Sequence, residues 1–245
     1  MDGFIRAGGI DTYYESVSKG PPLFFLHGGF GCGADYPDQR DGLSHTHRVI
    51  LLERRGHGHT ADGEAPISYD LMAADAVAFM DAVGLDRAHV VGHSDGANTG
   101  MPLAMHHPER VNKLVLISGN FNVGGLRADA LSRIAESPDA DWTDELAWRR
   151  RLTPDPLEHW PVFLAKMRHV WMTEPALTES DLALVTAPTL VMGADGDVDT
   201  LEHFVAEFLA IRVPSCRSFP VPATSSFTNS PSSGTRPSCG SGQLA

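Results

Sequence analysis

The sequence predicts an α/β fold, a mostly parallel and doubly wound sheet with a small helical cap. Three observations carry this. Short continuous apolar runs at residues 23–26, 48–52 and 111–118 have the character of strands buried on both faces. Stretches with helical apolar spacing, residues 68–83 and 97–105, stand between them. Strands alternating with helices along 245 residues fit one parallel-sheet domain.

Composition narrows the class. A mass of 26.4 kDa with 42% hydrophobic residues is enough for a sizeable core. A formal charge of -12 and a pI near 5.3 argue against nucleic acid or an anionic membrane as partner. Cys32, Cys216 and Cys239 are odd in number and lack ligand-like spacing, so they read as free thiols of a reducing compartment. The first residues lack a signal-peptide core and no apolar run approaches membrane-spanning length, so the expected location is cytoplasmic.

In chain order, residues 10–17 are β-prone and pair with the stretch before them as an antiparallel edge. Lys19-Gly20-Pro21-Pro22 is a turn into the apolar run 23–26. That run ends in His27-Gly28-Gly29-Phe30-Gly31. A Gly-rich loop after a buried strand suits close backbone approach to a ligand, and an ordinary turn would also use Gly. Residues 48–52 form the next strand and enter the loop from Glu53 to Thr60, rich in charge and Gly. His57 and His59 alternate there like metal ligands, but no matching carboxylate or Cys set accompanies them, so no metal is expected. The helix over 68–83 takes Ser68 as N-cap and Gly84 as C′.

The chemistry points to Gly92-His93-Ser94-Asp95-Gly96. A buried strand at 88–91 precedes it and an apolar-spaced helix follows, so Ser94 sits at the apex of a strand–turn–helix with Gly two residues to either side. Side chains at Gly92 or Gly96 would clash in so tight a turn. The Asp95 N–H falls at the helix start, where it can donate to an oxyanion, and Gly29 supplies a second N–H, with Phe30 as the alternative.

Beyond the strand at 111–118 the character changes. Trp142, Trp148, Trp160 and Trp171 fall within residues 119–186, among Pro-punctuated helical stretches. This reads as a helical cap inserted between two strands, its aromatics lining an acyl or aryl pocket or forming the cap's own core. A return strand at 189–193 leads to Asp195, Asp197 and Asp199, then a helix near 201–211. The domain plan is therefore a core of residues 1–118 and 187–211 with a cap at 119–186.

These motifs, in this order over residues 1–211, resemble the α/β-hydrolase superfamily, in particular its small capped esterase-, lactonase- and haloperoxidase-like members. The resemblance rests on His27-Gly28-Gly29, Arg55-Gly56-His57-Gly58, the Ser94 elbow and the strand before Asp197. It implies Ser94 as nucleophile, Asp197 as the triad acid with Asp195 as runner-up, and Gly29 and Asp95 as the oxyanion hole. The remaining aspartates cap the next helix or stay solvated. A Ser rather than an Asp at the elbow implies cleavage of a small-molecule ester, lactone or thioester through an acyl-enzyme, without a cofactor.

The chain departs from that pattern at its end. The family's base is a His some two to three dozen residues after the acid, yet the last His here is His203. Residues 212–245 lack Asp and Glu, are rich in Ser and Pro, and have no periodicity; they read as a disordered tail replacing the last strand and helix. Codons exist for residues 212–233 that, read two bases later, give Gly-Ala-Gln-Leu-Pro-Val-Val-Pro-Gly-Ala-Ser-His-Leu-Leu-Leu-His-Glu-Gln-Pro-Glu-Leu. This is a strand, a Gly turn, a Ser-His pair and a helix start, with the His codon straddling Ala223 and Thr224. The tail is thus read as the family's C-terminus in the wrong frame. The alternative is an inactive α/β-hydrolase-fold binding protein, or a product with no function.

Overall fold

The computed structural model describes residues 2–138, 142–194, 196–211 and 217–221, the last five as backbone alone. Asp195, Cys216, Cys239 and the reading of residues 222–245 as a disordered tail lie outside the described residues.

The strands are β1 (Asp2–Ala7), β2 (Ile10–Val17), β3 (Pro22–Leu26), β4 (Arg48–Leu52), β5 (Ala88–His93), β6 (Val111–Ile117), β7 (Thr189–Ala194) and β8 (Arg217–Val221). They form one sheet in the order β1-β2-β4-β3-β5-β6-β7-β8. The pairs β1/β2 and β2/β4 are antiparallel, and every pair from β4/β3 to β7/β8 is parallel. The helices are α1 (Pro37–Ser44), α2 (Tyr69–Ala82), α3 (Asp95–His106), α4 (Ala128–Glu136), α5 (Thr143–Arg149), α6 (Trp160–Thr173), α7 (Glu179–Leu182) and α8 (Leu201–Ala210).

Strand periodicity decides which side chains meet which helices. Phe24, Leu26, Ile50, Leu52 and Val90 share one face and pack with α2 and α3 in the main core. Leu23, Phe25, Val49, Leu51 and Val91 share the other, against Tyr36 and Leu43 of α1. The capping signals hold. Ser68 Oγ accepts from the Leu71 N–H at 3.0 Å, and Gly84 turns the chain at φ +65°. At α8 the cap is Thr200, whose side chain accepts from the His203 N–H, so neither Asp197 nor Asp199 takes that place.

One expectation is corrected. The last strand is not missing: residues 217–221 pair parallel with β7, Leu190 opposite Arg217 and Met192 opposite Phe219. Pairing uses backbone groups, so the β7 edge can accept a segment whose composition lacks strand character. Pro220 is tolerated because β8 is an edge strand. The sheet beside it is unevenly covered. Leu114, Leu116 and Val191 are fully buried. On the opposite face Val115, Ile117, Leu190 and Met192, which pair as Val115 with Leu190 and Ile117 with Met192, are only partly buried.

Candidate active site

The site lies at the carboxyl ends of β3, β5 and β7, where open parallel sheets bind ligands. β5 runs into α3 through Ser94, held at φ 53° and ψ −122°. A non-Gly residue in that region carries a strain of order 1–3 kcal/mol. The surroundings impose it. The Ser94 N–H donates to Ile117 O at 2.8 Å, and Ser94 O accepts from the N–H groups of Ala97 at 2.7 Å and Asn98 at 3.0 Å. Neither flanking glycine has a positive φ; both are required by proximity. A Cβ on Gly92 would overlap Gly96 O, and one on Gly96 would overlap Leu26 O.

Gly28, Gly29 and Phe30 face this turn. A Cβ on Gly28 would stand 3.2 Å from His93 Nδ1 and 3.4 Å from Ser94 Cβ. The Gly28 N–H donates to Tyr36 Oη at 2.9 Å, and that hydroxyl meets His93 Nδ1 at 2.8 Å. Phe30 adopts φ 55°. Among the described residues, no protein acceptor takes the N–H of Gly29 or of Asp95. These are the two groups read from sequence as oxyanion donors.

The Asp95 carboxylate accepts from Tyr69 Oη at 2.9 Å and from Trp171 Nε1 at 3.0 and 3.1 Å. Burial, then the Asp95 charge, pushes the Tyr69 phenol well above its ordinary pKa, so it stays a donor. Trp171 belongs to α6, between β6 and β7 in sequence, and brings that helical excursion down onto the elbow. Phe30 sits among Trp142, Trp160, Phe163 and Trp171, with centroids 5.0 to 5.9 Å away. Trp160, Phe163, Leu164, Met167 and Val170 pack with Ile67, Tyr69 and Met72 of the sheet domain. Trp142, Trp160 and Trp171 therefore share one apolar cluster with Phe30 of the Gly-rich loop.

Asp197 follows β7, and its carboxylate folds back on its own turn, taking the Val198 N–H at 2.8 Å. Burial lowers the His93 pKa, and the charge of Asp197, then of Asp95, opposes this; Asp197 thus faces the same end of the sheet. No histidine shares a hydrogen bond with Ser94 among the described residues. His27 is packed beneath the Gly-rich loop, His57 Nδ1 meets Arg55 O at 2.8 Å, and His59 pairs with Glu53. His203 stacks on Phe121 and its Nε2 accepts the Phe121 N–H at 3.1 Å. Sequence reasoning passed over Tyr36, Tyr69 and Arg54. Each is one polar residue in an ordinary-looking stretch, and its importance arises from partners remote in the chain.

A family profile described as alpha/beta hydrolase fold matches residues 21–155, and the chain belongs to that family. It is 39% identical over 121 residues to RutD of Caulobacter sp. (strain K31), a protein named as a carbamate hydrolase, covering 47% of this chain and 45% of that one. The chain thus spans about half the length of the curated relatives it matches. Among solved structures it superposes on CumD, a meta-cleavage product hydrolase from Pseudomonas fluorescens IP01. The TM-score is 0.72 at 24% identity, covering 90% of this chain and 89% of that one; at this identity the likeness concerns the fold. It also superposes on Est816, titled an N-acyl homoserine lactone degrading enzyme, with a TM-score of 0.70 at 25% identity over 92% and 93% of the chains.

Proposed function

We propose that this is a serine hydrolase cleaving a small carboxylic ester, lactone or thioester through an acyl-enzyme on Ser94. The observation that carries the reading is the strained Ser94 apex beside two N–H groups, of Gly29 and Asp95, that no protein acceptor takes among the described residues. Ser94 Oγ attacks the substrate carbonyl carbon as its proton passes to a histidine base. The carbonyl π pair moves onto oxygen, where the two N–H groups hold it. Collapse breaks the acyl C–O or C–S bond as that proton passes to the departing oxygen or sulfur, giving an alcohol or thiol, or in a lactone a hydroxyl that stays on the acyl chain; water then repeats the sequence to release the acid. Asp197 orients the base. Residues 119–186 form a cap whose Trp171 closes on Asp95. Relatives named for carbamate and lactone cleavage fit the same apparatus.

The base, in this account, belongs to the peptide encoded in the alternative frame beyond Ile211, and the chain as written turns over poorly. The incomplete burial of Val115, Ile117, Leu190 and Met192 supports this, since a helix after the last strand would lie on such a face. Sequencing the gene tests the frame; codons that fail to give the Ser-His peptide end that idea. Ester turnover by the chain as written tests the base. We expect kcat/KM below about 10⁴ M⁻¹s⁻¹ on a simple aryl ester; a higher value contradicts the account and assigns the role to another histidine.

A further inference from the structure

We propose that Arg54 is a positioning residue of the oxyanion hole, acting through the Gly28–Gly29 peptide; the inference rests on the reading of Ser94 and Gly29 above. Arg54 is 1% exposed and lies beneath the site. Among the described residues no carboxylate bonds its guanidinium directly. Nη2 donates instead to His27 O at 2.5 Å and Gly28 O at 3.2 Å, and Nη1 to Asp95 O at 3.2 Å and Thr99 Oγ1 at 3.1 Å. One buried cation thereby grips the backbone of both loops that carry the N–H donors.

The decisive atom is Gly28 O. Its peptide unit ends in the Gly29 N–H, and in a trans peptide the two point in opposite directions. Drawing the oxygen down onto Arg54 turns the N–H up toward Ser94. The same oxygen accepts from the Gly31 N–H at 3.2 Å and meets His27 Nδ1 at 2.7 Å. The His27 tautomer follows from its other nitrogen. Nε2 lies 3.1 Å from the Arg54 backbone N–H, which can only donate, so Nε2 accepts and Nδ1 carries the proton towards Gly28 O; the 3.3 Å approach of Arg54 Nη2 to Nδ1 is then a contact between two donors that share that oxygen. Burial, then the Arg54 charge, holds the imidazole neutral by lowering its pKa well below the usual value. Gly28 O thus collects three donors, one of them a cation. Hydrogen bonds to a carbonyl polarise the whole peptide and strengthen its N–H as a donor. A buried Arg costs desolvation free energy that an apolar residue would avoid, and this network gives a reason for its presence.

The test is made on the full chain with 15N-glycine, comparing Arg54→Gln and Arg54→Lys. Lys keeps the charge but lacks the planar fork that spans Gly28 O and Asp95 O, and it serves if Gln prevents folding. We expect the Gly29 15N resonance to move upfield in both, more in Gln, while Gly42 and Gly84 stay in place. In the chain with its alternative frame restored, which supplies the base that activates Ser94, the rate of Ser94 labelling by a fluorophosphonate, whose P=O oxygen enters the same hole, should fall about 100-fold at saturation in Arg54→Gln with half-saturation unchanged. An unmoved Gly29 resonance, or an unchanged limiting rate beside a moved resonance, overturns the inference. Unsubstituted chain that labels elsewhere than Ser94 counts against the nucleophile, and the Gly29 resonance then decides the positioning alone.

Discussion

The α-carbon of Gly96 faces the carbonyl oxygen of Leu26 so closely that a methyl group between them would overlap it. The elbow and the Gly-rich loop are therefore packed backbone to backbone. Gly96→Ala should cost more than about 4 kcal/mol, beyond the ordinary range for a point substitution, and leave little soluble protein. One turn along α3, a Cβ on Gly100 would meet Leu114 and Leu116 at 3.5 and 3.6 Å, which is ordinary contact. Gly100→Ala should stabilise by up to ~1 kcal/mol through helix propensity. Thermal melts of the pair check both; equal behaviour would remove the packing argument.

Arg55 and Asp75 tie the loop after β4 to α2. The pair is bidentate, at 2.6 and 2.8 Å, and its side chains are 4% and 9% exposed. Removing either partner strands a buried charge, so Arg55→Ala or Asp75→Ala should each cost about 3–5 kcal/mol. The double replacement Arg55→Met with Asp75→Leu should recover most of that in urea melts. Additive losses would show that the loop is held some other way.

Two carboxyls near α8 set a pH dependence of stability. All four carboxylate oxygens of Asp199 and Glu207 are shielded from solvent and have no hydrogen-bond partner among the described residues. Burial, then the Asp197 charge, pushes Asp199 up to about 8. Burial, then the Asp199 charge, raises Glu207 well above its usual value. Each holds its proton in the folded chain at a pH where the unfolded chain has lost it, so each destabilises progressively as pH rises above about 4, Asp199 until about 8. His203 acts in the opposite sense. Burial lowers it to about 4, so its contribution is lost as pH falls from about 6.5 to 4. The carboxyls therefore act alone among these groups above about pH 6.5. Asp199→Asn should raise the Tm at pH 8 and flatten the decline between pH 6.5 and 8; an unchanged slope would show that Asp199 is ionised in the fold.

The partly buried side chains of Val115, Ile117, Leu190 and Met192 give the proposed frame change beyond Ile211 a physical consequence. The chain as written should bind an apolar dye and associate at high concentration. Restoring the alternative frame should suppress both and raise the Tm. A restored chain with the same dye binding would mean that this face is covered by something other than the C-terminal peptide.

Much of this molecule is legible in its sequence because its signals are local. Ser68 and Gly84 bound α2 as their types demand, and the runs of β3 and β4 announce burial on both faces. The turn chemistry around Ser94 is equally local. Arg54 was illegible for the opposite reason. Its oxygen partners stand 26 to 45 residues away and meet it only once β3, β4 and β5 lie side by side. In sequence it is one charge in a charged loop. Trp171 could be assigned to the helical excursion but not to Asp95, since that contact depends on how α6 crosses the sheet. β8 was missed because edge pairing depends on a partner's free backbone more than on composition.

The central claim is that Ser94 is the nucleophile. The most direct measurement is ester turnover by the chain with its alternative frame restored, with and without Ser94→Ala. Hydrolysis should appear on restoring the frame, and Ser94→Ala should reduce it by several orders of magnitude towards the residual rate that binding and an oxyanion hole alone support. Turnover undiminished by Ser94→Ala would contradict the account.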